Sequence, residues 1–398
     1  MVGRYLQNAN IPVNRFTVNR LTALTLEYSM SSRKPSIKDV AALAGVSTAT
    51  VSNVFSGRKP VNDDLQESVQ KAAKSLGYQV DRAASHLRSG RTRVIAVLVP
   101  DLTDTFFATI VSSLETMAYE RGYDVIVASS RNERSVERSR LRALLAWRPA
   151  GFIVVPCSKD IPAELIAIKD EIPMVLVDRV ATRNAIADTV TINNRDAGEV
   201  AARHLLELGH KDIVLAVSDL SFPPIKERSE GASSLIRKYI GRKPTVLELS
   251  SDNERGSRIF ASWLERSEIP SAVIAFTNVT SLSVLSALVD HKIEIPERTS
   301  MVAFDDYAWM AARKTGLTAI RQPADEIAAA AWSRLMFRIE KGNSAEPYAT
   351  ILSTSLVVRA SVKDLSKLGP KIENLREILH PETLVSPETT NAGEKKIH

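Results

Sequence analysis

Short runs of β-branched residues alternate with stretches of helical period from residue 93 to about 362, and no other feature constrains the fold of this chain as tightly. The runs fall at 94–99, 124–129, 151–155, 174–177, 213–217, 273–276 and 300–304, with helical patterns between them, as at 107–121 and 196–208. Continuous apolar strands separated by helices form a parallel sheet covered on both faces. There are more units than one mononucleotide-type fold uses, so the pattern predicts two α/β lobes. Ligands in such sheets sit beyond the carboxyl ends of the strands, and two lobes bring those ends together across a cleft. Residues 101–107, Cys157, Asp178, Arg179, residues 219–228, Asn278, Asp305 and Asp306 follow the strands there. Carboxylates and an arginine each take two hydrogen bonds, which suits a polyhydroxylated ligand. Cys157 reads as a small buried hydrophobe, and His210, after Gly209, as a donor closing the preceding helix.

The charge is placed unevenly. The chain has 398 residues and a formal charge of +6. Residues 1–93 carry 14 basic and 6 acidic side chains, a balance of +8, and the other 38 basic and 40 acidic side chains give −2. A basic module on a near-neutral body is the footprint of a polyanionic partner.

The segment from Ser36 to Phe55 gives that module a shape. Ser36 can cap a first helix, with acidic Asp39 three places on. Val40, Ala41 and Ala44 are small enough to let a second helix close in, and Gly45 frees the backbone for a tight turn. Ser47 then caps a second helix whose Val51, Val54 and Phe55 are predicted to face inward. Its other face shows Thr48, Ala49, Ser52 and Asn53, small groups with no acid among them. This is a helix-turn-helix whose second helix fits a major groove. Asn can make two hydrogen bonds to adenine, and Ala or Thr methyls can touch a thymine methyl. Residues 62–76 supply a third, supporting helix. Residues 81–91 follow, a helix-length stretch with a capping Asp81, three arginines and one bulky apolar residue, Leu87. Such a helix is marginal alone, and an exposed leucine can wedge into a minor-groove step and bend the duplex. A flexible interdomain linker is the plainer reading of the same stretch.

Residues 36 to 362 resemble the lactose-repressor and galactose-repressor family of bacterial transcription regulators. The resemblance is carried by Ile37-Lys38-Asp39-Val40-Ala41, Val46-Ser47-Thr48-Ala49-Thr50-Val51-Ser52, Val99-Pro100-Asp101, Leu208-Gly209-His210 and Phe304-Asp305-Asp306. It implies a small all-α helix-turn-helix head on a two-lobed, periplasmic-binding-protein-like α/β sensor. It also implies a homodimeric repressor on a near-palindromic operator, controlled by a small polar, sugar-like effector. By that resemblance Thr48, Ala49 and Asn53 read bases, Ser47, Thr50 and Ser52 anchor phosphates, and Leu87 is the hinge leucine. Asp178, Arg228, Asn278 and Asp305 are the implied effector contacts. The chain departs from the pattern at Val80-Asp81 and Ser85 before the hinge leucine, at Ser251 where an aromatic ring often stacks on the ligand, and at Val279 after Asn278. Phe106 or Phe222 can supply the stacking face instead.

The organisation read from the sequence is a loose extension over 1–35, a helix-turn-helix domain over 36–80, a hinge over 81–92, a two-lobed effector and dimerisation body over 93–362 and a polar tail over 363–398. Leu365, Leu368, Ile372, Leu375 and Leu379 have zipper spacing, but Gly369-Pro370 breaks it after one turn. The longest apolar runs, such as 94–99, fall far short of the ~20 residues of a membrane span, and no secretory leader is read. A single cysteine excludes an intramolecular disulfide and a thiolate zinc site. There is no G-x-G-x-x-G, P-loop lysine motif, G-x-S-x-G or metal-spaced histidine pair, so neither an enzyme nor a bound cofactor or metal is expected. The expectation is a cytoplasmic, nucleoid-associated protein. A two-lobed solute-binding protein is the alternative, which would lack a DNA-binding head.

Overall fold

The structure is a computed structural model and describes residues 35–56, 60–78, 92–180 and 186–366. Leu87, most of the hinge, the extension up to residue 34 and the zipper-spaced positions from Leu368 onward lie outside the described residues. The chain divides into two units, residues 1–91 and 92–398.

The first unit is the three-helix head. Helix α1 (Ile37–Ala44) begins where Ser36 donates both its N–H and its Oγ to Asp39 Oδ2, each at 2.7 Å. It stops at Gly45, whose φ of 65° is a left-handed conformation that a Cβ would strain. Helix α2 (Thr48–Ser56) follows, and α3 (Asp63–Leu76) begins at Asn62, whose Oδ1 accepts from the Asp64 N–H at 3.0 Å. Val40, Ala41, Val51, Val69, Ala72 and Ala73 form the small core between them. Val51 does face inward, but Phe55 is 37% exposed. Its ring instead tilts against Tyr78, 5.9 Å away, at the rim of the head.

The second unit is two α/β lobes. In lobe 1 the strand order is β11 (Ala349–Leu352), β5 (Asp188–Ile192), β4 (Met174–Val177), β3 (Gly151–Val154), β1 (Val94–Val99) and β2 (Asp124–Ser129). In lobe 2 it is β12 (Ser355–Val357), β10 (Thr318–Arg321), β9 (Ser300–Phe304), β8 (Ala272–Ala275), β6 (Ile213–Val217) and β7 (Thr245–Glu248). All neighbours are parallel except β12 against β10. The two sheets repeat one topology, so β4 and β9 occupy equivalent places. Helices α4 (Thr105–Glu120), α5 (Arg134–Leu145) and α6 (Ala163–Ile168) serve lobe 1; α7 (Asn194–Glu207), α8 (Pro223–Ile240), α9 (Asn253–Leu264), α10 (Asn278–Asp290) and the short α11 (Ala308–Ala311) serve lobe 2. Helix α12 (Ala324–Lys341) leaves lobe 2 and packs on α4, β3, β4 and β5 of lobe 1. The chain therefore crosses between lobes after β5, after β10 and again after β11.

The strands at 94–99, 124–129, 174–177, 213–217 and 300–304 stand where the sequence puts them, while the run at 151–155 ends one residue early and that at 273–276 is shifted one residue back. Strands β5, β7, β10, β11 and β12 lack a clear apolar run: β5 reads Asp-Thr-Val-Thr-Ile, with its Thr side chains buried. Beyond them, residues 361–366 strap the edge of lobe 2, with the Met301 N–H on Ser361 O at 2.9 Å and the Leu365 N–H on Leu208 O at 2.8 Å. His210 belongs to this strap. Its Nε2 lies 3.0 Å from Lys363 O, so its ring does not close α7 as expected. The helix end is closed by backbone instead: the His210 N–H reaches Leu205 O at 3.0 Å. Among the described residues no helix is long and apolar enough to cross a membrane.

Candidate functional site

On the head, α2 presents the surface expected of it. Ser47, Thr48, Ala49 and Ser52 are exposed, and Thr50 and Asn53 half-buried. Ser47 Oγ accepts from the Thr50 N–H at 3.0 Å and shares a 2.9 Å hydrogen bond with Thr50 Oγ1. That bond satisfies an otherwise unpaired N–H at the helix start. The exposed face thus combines two methyls and several short polar groups, with no side chain long enough to block close approach to a base edge.

In the body, the strand ends converge as the topology requires. Asp178, Arg228, Asn278 and Asp305, the four sequence-predicted contacts, all line one interlobe cavity of about 130 Å³, together with Asp101, Asp104, Phe106, Arg179, Phe222, Ser251 and Gln322 among others. Asp178 follows β4 and Asp305 follows β9, the equivalent strands of the two lobes. Both have left-handed backbones, φ 60° and 82°. Asp tolerates that region better than most residues, and in both lobes it turns a carboxylate off the sheet end.

Each of these groups has a distinct electrostatic setting. Arg228 is 3% exposed. Its Nε donates to Asn194 Oδ1 at 2.8 Å, its Nη1 to Phe276 O at 2.9 Å and its Nη2 to Gln322 Oε1 at 3.4 Å, and the guanidinium lies 3.9 Å from the Phe304 ring centre. Burial pushes its pKa down, against the pull of Asp305 and Asp178. Asp305 accepts from Gln322 Nε2 at 2.6 Å and from the Asn278 N–H at 3.1 Å. Burial raises its carboxyl to about 6, although Arg228 works the other way. Burial likewise raises Asp178. The Asn278 Oδ1 is buried with no donor among the described residues. Asp104 caps α4 by accepting from the Phe106 N–H at 2.9 Å and accepts a hydrogen bond from the Tyr307 hydroxyl across the cleft, a tie between lobe 1 and lobe 2. Burial holds the Tyr307 hydroxyl protonated far above the usual phenol range.

Several strand-end residues do not reach the cavity. Asp306 turns away and is held by Arg321 at 2.6 Å and Arg359 at 2.5 Å. Cys157 is buried, its N–H donating to Glu137 Oε1 at 2.7 Å, as befits a packing residue. The sequence places Asp104 within the strand-end residues 101–107 without singling it out, and it does not point to Tyr307 or Gln322, because nothing local distinguishes a cap or a strand-end amide that faces a cleft from one that faces solvent.

Two family models match the chain: bacterial regulatory proteins of the lacI family over residues 36–81, and a periplasmic binding protein-like domain over residues 202–362. The HTH-type transcriptional regulator PtxS of Pseudomonas putida is 30% identical over 330 residues, 82% of this chain and 96% of the relative. The HTH-type transcriptional repressor PurR of Haemophilus influenzae is 30% identical over 335 residues, 83% of this chain and 99% of the relative. The fold is shared with the Lac repressor dimer bound to operator and an anti-inducer, at a TM-score of 0.74 and 23% identity over 83% of this chain and all of that one. The regulator CelR in complex with cellobiose has a TM-score of 0.61 at 26% identity, over 82% of this chain and 99% of that one. With a capped helix-turn-helix, two lobes of repeated topology and relatives matched almost end to end, the chain belongs to the lacI family of bacterial regulatory proteins.

Proposed function

We propose that the chain is a repressor of transcription that binds a near-palindromic operator as a homodimer and whose affinity for DNA is set by a small polar metabolite in the interlobe cleft. The observation that carries this reading is the convergence of Asp178, Arg228, Asn278 and Asp305 on one cavity in a chain whose α2 exposes Thr48, Ala49 and Ser52. On DNA, Thr48, Ala49 and Asn53 meet base edges, while Ser47, Thr50 and Ser52 lie toward phosphates. Leu87 wedges between base steps from the hinge. The effector shifts the equilibrium between two lobe arrangements by its differential affinity for them, and the DNA affinity follows. It is a ligand and leaves the cleft unchanged.

The test is selection of genomic fragments by the purified protein against random competitor, at graded salt. A preferred fragment emerges, and its affinity falls steeply with salt because phosphate contacts release counterions. Leu87→Ala keeps nonspecific binding and loses the preference for that fragment; equal discrimination by this variant removes the hinge role. The periplasmic-binding-like match over 202–362 also suits a solute-binding protein with no regulatory part. That reading predicts ligand binding with no preferred DNA.

A further inference from the structure

Of the two guanidiniums that line the cleft among the described residues, Arg179 keeps donors that no described residue takes up. Every nitrogen of Arg228 already donates to protein, to Asn194, Phe276 and Gln322. Arg179 donates once, from Nη1 to Asn132 Oδ1 at 2.5 Å, and its other N–H groups have no acceptor among the described residues. Phe107 of lobe 1 and Phe222 of lobe 2 flank it, with ring centres 5.3 and 5.0 Å from the guanidinium carbon. Aromatic faces attract a cation but accept no in-plane N–H bond. Arg179 is half-buried and lines the cavity, and an anion with two acceptor oxygens is what its fork fits best.

The same cavity offers acceptors of the opposite kind. None of the described residues donates to the Asp178 carboxylate, which leaves β4 beside Arg179 without forming an ion pair with it. Asn278 Oδ1 is buried with no partner among the described residues. Asp305 keeps lone pairs beyond its two bonds. Such acceptors call for hydroxyl donors. Asp101 and Asp104 line the cavity too, so a monoanion meets less repulsion there than a dianionic phosphate.

We infer that the effector is a small polyhydroxy carboxylic acid, a sugar acid, whose carboxylate is forked by Arg179 while its hydroxyls donate to Asp178, Asn278 and Asp305. Arg179 is then the residue that selects an acid over the neutral sugar. This rests on the effector reading of the cleft given above.

The test is calorimetric titration of the full chain with aldonic and uronic acids of five and six carbons, and with glucose, glucosamine and glucose 6-phosphate. At least one acid binds about tenfold or more tighter than glucose. Arg179→Gln loses about tenfold or more for that acid and leaves any weak glucose binding unchanged. Arg179→Lys, which keeps a cation between the two rings, shows a smaller loss of the same sign and serves if the glutamine variant does not fold. Preference for glucose, glucosamine or the phosphate ester over every acid overturns the inference. So does failure of all the acids to bind, or full acid affinity in both variants. Operator affinity is measured separately. An acid that binds through Arg179 without changing it sinks the regulatory reading and leaves standing only the assignment of the acid as the ligand of the cleft.

Discussion

A carboxylate withdrawn from water is a liability to the folded protein, and Asp305 shows it. Burial raises its carboxyl to about 6 although Arg228 lies close and Gln322 and the Asn278 N–H both donate to it; Asp104 adds repulsion. A carboxyl whose pKa is higher folded than unfolded costs stability above that value and recovers it as pH falls. Asp305→Asn is therefore expected to raise the Tm of the ligand-free protein at pH 8, with the gain shrinking at pH 5, while effector binding is lost. Thermal unfolding at the two pH values, with titration of the effector, checks both halves of the trade-off. Cys157 makes the opposite case. It is 4% exposed, and burial, reinforced by Glu137, pushes its thiol up to about 12. It is expected to resist alkylation at pH 8 until the protein is unfolded, which mass spectrometry with iodoacetamide reads directly.

The position of Arg228 is decided at the level of helices. A Cβ built on Gly198 of α7 would come within 1.9 Å of Arg228 O, and one built on Gly231 of α8 within 2.1 Å of Arg195 O. The two helices touch backbone to backbone through this reciprocal glycine pair, and the contact sets how far Arg228 reaches toward Asn194 and the cleft. Neither neighbour is a flexible side chain that could yield. Gly198→Ala is expected to cost about 1–3 kcal/mol or more of stability by forcing the helices apart, measured by urea unfolding. It is also expected to weaken effector binding, with no change in the head. The Arg-x-x-Gly spacing at 228–231 is visible in the sequence, but its partner Gly198 reads alone as an unexplained glycine in a helix.

At the scale of the whole molecule, the chain must return to lobe 1 after building lobe 2, and a buried charge cluster fixes that return. Asp188, at the start of β5, is fully buried and binds Arg338 at 2.6 Å, Arg334 at 2.8 Å and the Tyr348 N–H at 2.8 Å. Arg338 also donates to the carbonyls of Ala345 and Glu346. One carboxylate thus ties α12 to the loop that leads into β11. Burial alone would raise its pKa, but Arg338, the Tyr348 N–H and Arg334 hold it below the usual carboxylate range. Removing one partner of such a cluster leaves the others buried and unpaired, so Asp188→Asn is expected to cost about 3–5 kcal/mol near neutral pH. The sign of the pH effect is opposite to that at Asp305: the parent's advantage fades as pH falls through the folded pKa, which denaturant titrations at pH 7 and pH 4 check. What the sequence determined by itself was whatever a short window can encode. The capping pair Ser36 and Asp39, the turn at Gly45, the apolar strands of both sheets and the strand-end placement of Asp178 and Asp305 were legible there, because each rests on neighbours within a few residues. Only the tertiary structure decided the rest. Strands such as β5 and β11 owe their burial to the sheet they join, Asp306 and Asp305 part company over a single peptide, and Arg228 and Arg179 look alike until their partners are known. Among the described residues all three nitrogens of Arg228 donate to protein and only one of Arg179 does, because hydrogen-bond partners come from residues far apart in the chain, and satisfaction is a property of the assembled site.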